Sequence, residues 1–412
     1  MIGMATKRRA TIRRMAHEPM LPAVAAIFFV ITFAIKAFVD DRFMAGEVSA
    51  SVAYTKYATA AIACVAGLAH AFKNGEKLFV KQFNALLVIF FVFTLGSFFC
   101  MLASGIISKT VMMELMKFVI PIVLAYAVLN AVDQDAMYKC MVAVLLVSLL
   151  GYLVELARSG VSISAIFSAD FTESESATES SSFSGISLVL TFYFAYFNRR
   201  KLWLFLSAAF CVCTFKRLAI LFAVVALVAG LFFPKAMSAR LPKKAIAALK
   251  MATLLTVALW AWLLLPEQDS FAAQLFGKDP RLFTMGRSAT FRYLLSSGFQ
   301  SYGFGSANEV VKAAFGFGFE MDLIKIAFEL TPLAMILFVW LYWDVAGTTL
   351  WGVFIIGFFM LNMITSDSLT SNFVLTLAYM TCGLVEDAAP SSIDGSEGRW
   401  GHVALRLGFR NQ

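Results

Sequence analysis

Apolar runs recur along the chain at short intervals, among them LPAVAAIFFVITFAIKAF over 21–38, FNALLVIFFVFTLGSFFCMLA over 83–103 and LAILFAVVALVAGLFF over 218–233. Runs of this kind approach the ~20 residues that cross a hydrocarbon core, and each predicts a transmembrane helix. The pattern predicts twelve: 21–38, 53–72, 83–103, 111–131, 137–157, 184–198, 202–215, 218–233, 245–265, 322–343, 345–365 and 368–386. The expected fold class is all-α, a polytopic membrane protein of about twelve transmembrane helices with one large loop, over 266–321, on one side.

Composition sharpens this expectation. The 412 residues are 60% hydrophobic, include 42 Phe and are only 15% charged, against the roughly 45–50% apolar content of soluble domains. A soluble enzyme is thereby excluded. The net charge of +8 does not point to nucleic acid, because the basic residues sit mainly in short segments between apolar runs, where they set orientation. Lys7, Arg8, Arg9, Arg13 and Arg14 precede the first run and place residues 1–20 in the cytoplasm. No small-residue cleavage site follows that run, which is therefore expected to be a signal anchor.

Counting alternately puts the basic segments 73–77, 198–201 and 234–244 and the tail 387–412 inside the cell. Two stretches fall outside, 158–183 and 266–321. Within the first, the Ser- and Glu-rich tract 170–185 is expected to be a solvated linker. Spans one to nine thus occupy 21–265 and spans ten to twelve occupy 322–386. Cys64, Cys100, Cys140, Cys211, Cys213 and Cys382 all lie in apolar segments without a CxxC pair, so neither a disulfide nor a metal site is expected.

One pair breaks the charge pattern. Lys216-Arg217 falls at the outer boundary between two apolar runs, and two accounts are open. Either 202–233 is one long span with a buried cationic pair, or Arg217 binds an anion at the membrane surface, since a guanidinium pairs bidentately with phosphate and stays charged at low dielectric. A second set lies in the large outer loop: Gly286-Arg287, Arg292, and the glycine turn Gly303-Phe304-Gly305. Gly286 is expected to turn the chain before a helix carrying both arginines.

The order of these pieces carries a resemblance. Thr214-Phe215-Lys216-Arg217-Leu218-Ala219 at the start of a helix resembles the Ser-Arg-Gly motif of the O-antigen ligase and polymerase superfamily. An outer loop with Gly286-Arg287, the turn at Gly303-Phe304-Gly305 and a helix ending in Glu329-Leu330 follow in the same order, so that the resemblance spans roughly 184–386. Arg292 and Gly303 also resemble the Arg-x10-Gly motif of O-antigen polymerases, a spacing that Arg287 and Gly298 satisfy as well. One departure stands out. Where the ligases of the family carry a histidine ahead of the helix that ends in Glu-Leu, this chain carries Glu320, and its three histidines, His17, His70 and His402, lie elsewhere.

The resemblance implies a GT-C-like glycosyltransferase of the bacterial inner membrane whose site faces the periplasm. The donor would be a glycan on undecaprenyl pyrophosphate, and the acceptor a glycan hydroxyl in a polymerase or lipid A-core in a ligase. No metal or cofactor would be required, and a chain-length regulator protein would be a partner. In this chemistry an acceptor hydroxyl attacks the anomeric carbon and pyrophosphate leaves. Arg217 and Arg287 would stabilise the leaving group, with Arg292 as a third cation. Glu320 would be the base, with Asp322 in reserve; the plain alternative for Glu320 is a carboxylate favoured by a helix N-terminus. Lys325 and Glu329, four residues apart, are expected to form an internal ion pair. Three functional classes remain open: a polymerase, a ligase or protein-directed oligosaccharyltransferase, and a transporter or flippase. The last should show charged or broken helices at mid-membrane and repeat symmetry between the halves, and neither is apparent in the sequence.

Overall fold

The computed structural model describes residues 20–73, 77–160, 181–277 and 284–390. The basic N-terminus, the centre of the Ser- and Glu-rich tract and most of the tail lie outside these residues. Among the described residues the chain is helical and has no β-strand. Five helices come first: α1 Met20–Met44, α2 Ala50–Lys73, α3 Val80–Ser104, α4 Lys109–Ala131 and α5 Gln134–Arg158. They are followed by α6 Ser181–Tyr196, α7 Lys201–Cys213, α8 Arg217–Phe232 and α9 Lys243–Leu263. The loop region holds α10 Asp269–Phe276, α11 Arg287–Ser296 and α12 Ser306–Phe315. Four more close the bundle: α13 Asp322–Glu329, α14 Pro332–Tyr342, α15 Leu350–Thr365 and α16 Asn372–Ala388.

Every predicted apolar run is largely helical, but the runs are not equivalent. Six helices, α1 to α5 and α9, are long and apolar enough to cross a membrane. The others are shorter: sixteen residues in α6, α8 and α15 and seventeen in α16 give about 25 Å of helix, below the ~30 Å of a hydrocarbon core. Burial differs among them: α8 buries only Ala219, Ala223, Ala226 and Gly230. In α16 every residue from Asn372 to Val385 is buried, against α4, α6 and α15, as expected for a helix apolar on all sides at the centre of a bundle.

One alternative is decided and one expectation corrected here. Residues 202–233 form two helices, as the separate runs 202–215 and 218–233 predict, and not one long span: α7 stops at Cys213, Phe215 takes a left-handed φ of 53°, and α8 starts at Arg217 and packs back on α7. Residues 322–343, expected as one span, are not one continuous helix. The helix breaks at Leu330–Thr331, where Thr331 is extended, Pro332 opens α14 and the Thr331 hydroxyl accepts from the Ala334 N–H at 3.1 Å. Proline excludes the helical conformation from the residue before it, which fixes the position of the break.

Hydrogen bonds at the two ends of the bundle show the helices alternating in direction. At one end Arg158 pairs with Glu47, Tyr152 donates to the Cys213 carbonyl and Ser108 donates to Glu309 at 3.1 Å. At the other, Arg199 pairs with Asp135, and Arg240 with Glu386 at 2.7 Å. The first end carries the chain between α9 and α13 and is the site end below. Small residues allow close approach within the bundle: a Cβ added at Gly151 of α5 would lie 2.6 Å from the Ala37 carbonyl oxygen of α1.

Candidate functional site

The loop region is folded onto the bundle by its arginines and glycines. Arg292 of α11 donates from Nε to the Leu264 carbonyl at 2.9 Å and from Nη1 to Asp269 at 3.0 Å, while Nη2 reaches Asp269 and the Leu265 carbonyl. Each of its nitrogens is engaged in holding α11 to the end of α9. This arginine, expected as a third phosphate ligand, is engaged here with Asp269 and two backbone carbonyls.

Arg287 stands at the first position of α11, immediately after Gly286 with φ 84°, as the glycine turn predicts. Nη2 donates to Glu320 Oε2 at 2.8 Å and Nη1 to the Thr284 carbonyl at 3.2 Å. Nε is buried and makes no hydrogen bond among the described residues. The Arg287 side chain is 17% exposed and that of Glu320 46%, so the carboxylate is the accessible partner. Two of the expected site residues, 33 positions apart, are thus brought into direct contact.

Arg217 is exposed, at the start of α8 on the same end of the bundle. Its helix packs on α6 and α7 and, through Phe222, on Phe354 and Phe358 of α15. Asp322, expected as a reserve base, faces the interior. It is fully buried, its Oδ2 accepts from the Ser368 and Leu369 N–H groups at 2.7 Å, and its Oδ1 lies 2.9 Å from Lys325 Nζ.

Lys325 also corrects the sequence expectation. Its ion-pair partners are Asp322 and, at 3.3 Å, Asp367 in the α15–α16 connection, both distinct from Glu329. Glu329 accepts from the Gly305 N–H at 2.7 Å and the Ala307 N–H at 2.8 Å, where the free N–H groups and dipole of α12 favour a carboxylate. The Gly303-Phe304-Gly305 turn is thereby buried: Phe304 is fully enclosed and donates its N–H to Ser97 of α3 at 2.9 Å. At Gly303, φ is 124° and an added Cβ would lie 3.0 Å from Ser97 and Val111. Gly298, which fits the same spacing from Arg287, has open space around it.

Ser97, Asn308 and Asp367 are the members of this network that the sequence pattern did not single out. Asn308 accepts from the Phe319 N–H at 2.7 Å, just before Glu320, and donates to Asp367 at 3.4 Å. Burial pushes the Asp367 carboxyl up, but the Lys325 ammonium and the hydrogen bonds with Asp322, Asn308 and Lys325 hold it below the usual carboxylate range. Burial and the neighbouring Glu309 carboxylate push the Tyr302 hydroxyl up to about 12.

The half-helix α13, with Asp322, Lys325 and Glu329 all fully buried, is the charged, broken element that the apolar pattern concealed. What the site end presents outward is the accessible carboxylate of Glu320, backed by the largely buried guanidinium of Arg287, a pair with the chemistry to bind an anion and accept a proton. Among the described residues no group of three or more His, Cys, Asp or Glu is placed to hold a metal ion. No family model, no curated protein and no solved structure matches this chain.

Proposed function

We propose that the chain is a membrane glycosyltransferase that uses undecaprenyl-pyrophosphate-linked glycan, acting as an O-antigen or related polysaccharide polymerase with the site end facing the periplasm of the bacterial inner membrane. The observation that carries this proposal is the Arg287–Glu320 contact at 2.8 Å, which joins a phosphate-type cation to a carboxylate at the position where the resembling ligases have a histidine.

In this mechanism the pyrophosphate of the donor takes the guanidinium from Glu320, because both anions compete for one planar donor set. The released carboxylate accepts the proton of the acceptor hydroxyl. The hydroxyl oxygen then forms its bond to the anomeric carbon as the bond from that carbon to the pyrophosphate oxygen breaks, and the electron pair leaves with the pyrophosphate. Arg287, together with Arg217 from α8, holds the charge that develops there. Arg292 keeps α11, and with it Arg287, in register with α9.

The test is turnover by purified, reconstituted protein on a defined undecaprenyl-pyrophosphate repeat unit, with product length as the readout. A ladder of products supports a polymerase; a single transfer to lipid A-core supports a ligase. The buried charges of α13 and the break before α14 favour one further possibility, a carrier of lipid-linked glycan, since discontinuous charged helices line transporter sites. Movement of labelled donor across a vesicle without bond formation would overturn the transferase.

A further inference from the structure

On the flank of the bundle, α9 and α15 border an open groove of about 340 Å³, near the lower limit of roughly 300 Å³ for small-molecule pockets. From α9 come Thr256, Leu259, Trp260 and Leu263, positions that share one helix face and extend about 10 Å along it. Leu361 and Thr365 of α15 form part of the opposite wall. The groove opens toward the membrane: Leu259 is 55% and Leu361 48% exposed. They continue the exposed apolar stripe of Met251, Leu255 and Trp262 on α9. The Thr256 hydroxyl is turned into its own helix, donating to the Ala252 carbonyl at 2.8 Å, so the groove offers hydrocarbon contact.

Its rim at the site end is charged. Leu263 adjoins Leu264, whose carbonyl accepts from Arg292, and Thr365 lies two residues before Asp367. Arg287 is on the same helix as Arg292, five positions away, or about 8 Å along the axis. On the other side α13, which starts two residues after Glu320, packs on both α9 and α15. An apolar channel open to lipid therefore ends beneath the elements that carry the anion-binding pair.

The geometry points to this groove as the seat of the prenyl chain of the donor lipid, held along α9 and α15 with its pyrophosphate delivered to Arg287. This assignment rests on the proposed transferase activity for the identity of the lipid. An annular phospholipid needs no such alignment of apolar channel and cationic end, because it binds anywhere on the exposed stripe.

The experiment pairs two donors, one glycan pyrophosphate on an undecaprenyl chain and the same head group on a chain of two isoprene units, with Leu361→Trp and Leu259→Trp, which fill the groove from its exposed positions. The expected result is a KM for the long-chain donor raised about tenfold with kcat kept, and unchanged kinetics for the short-chain donor. Equal KM values for wild type and variants with the long chain overturn the assignment. A parallel measurement places a photoactivatable side chain at Leu361 and reads cross-linking to undecaprenyl pyrophosphate in vesicles of phosphatidylglycerol. Competition by undecaprenyl phosphate supports the groove, and equal labelling of the bulk phospholipid overturns it; this outcome decides the case where a variant slows both donors alike. If the cross-link is competed but neither donor is turned over, the transferase proposal fails while the lipid site stands.

Discussion

Arg287 and Glu320 are joined by a 2.8 Å hydrogen bond although 33 residues of chain separate them, and each is set by a different device. Gly286 turns the chain into α11 and places Arg287 at its first residue. Asn308 grips the backbone of Phe319 at 2.7 Å and fixes the approach to Glu320. The pair neutralises itself, and in the proposed mechanism an incoming anion would displace the carboxylate, which would couple donor binding to release of a base.

Substitution of either partner is expected to separate binding from chemistry. Arg287→Lys keeps the charge but loses the planar fork, and should lower turnover by roughly 10²–10³, the scale of one lost electrostatic donor. Glu320→Gln should stop transfer while donor affinity stays level or rises, because the amide competes less well for the guanidinium. Turnover of reconstituted protein and equilibrium binding of the carrier lipid check both. Full turnover by Glu320→Gln would return Glu320 to the role of an ion-pair partner for Arg287.

The two glycines that satisfy the same arginine spacing should behave differently. Gly303→Ala places a Cβ 3.0 Å from Ser97 and Val111 at φ 124° and is expected to cost roughly 1–3 kcal/mol and to loosen the turn. Gly298→Ala, at φ 67° with nothing within 4 Å, meets only the backbone penalty of about 1–2 kcal/mol. Thermal unfolding in detergent compares them. Equal losses would show that the contact with α3 and α4 contributes little.

Helix positions were legible because apolar period and length are local properties. Helix lengths and breaks were less so: Pro332 inside the apolar run 322–343 signals the break, but the buried half-helix before it reads as apolar apart from Asp322, Lys325 and Glu329. The Gly-Arg turn was legible from Gly286 alone. The partners of the charged residues were not. Glu329 finds Gly305 and Ala307, Asp322 finds Ser368, and Ser108 finds Glu309 across 201 residues, contacts that only the packed bundle creates. An i,i+4 rule for exposed helices therefore paired Lys325 with the wrong carboxylate, since burial favours whichever acid the neighbouring connection supplies.

That network predicts a strong effect at Lys325. Lys325→Met leaves the buried Asp322 beside Asp367 without their shared cation, a change of the kind that costs roughly 3–5 kcal/mol. Asp322→Asn on its own leaves Lys325 with Asp367 but weakens the grip on the Ser368 and Leu369 N–H groups. The double substitution should recover part of the loss, because contacting residues are not additive. A double-mutant cycle by thermal unfolding measures this, and strict additivity would mean that the two charges do not sense each other.

Asp367 makes a contribution to the pH dependence whose sign can be worked out. Its carboxyl is held below the usual range in the folded protein by Lys325 and by Asn308, so its folded pKa is below the unfolded value of about 3.9. A group of that kind contributes stability that is fully present above the unfolded pKa and is lost as pH falls through the folded pKa. The groups facing it are Lys325, Asp322, Asn308 and Thr370, with Lys117 of α4 contributing through its charge. The contribution of Asp367 to stability, read as the difference in thermal-unfolding midpoint between wild type and Asp367→Asn, should therefore be present at neutral pH and shrink on acidification through the folded pKa. Since the Asp367 side chain is 30% exposed while Asp322 is fully enclosed, this difference should be reduced more by high salt than the effect of any change at Asp322. Parallel pH profiles for wild type and Asp367→Asn would show that the α15–α16 connection is held by Asp322 and its two backbone N–H contacts alone, and that the Lys325–Asp367 pair adds nothing to the fold.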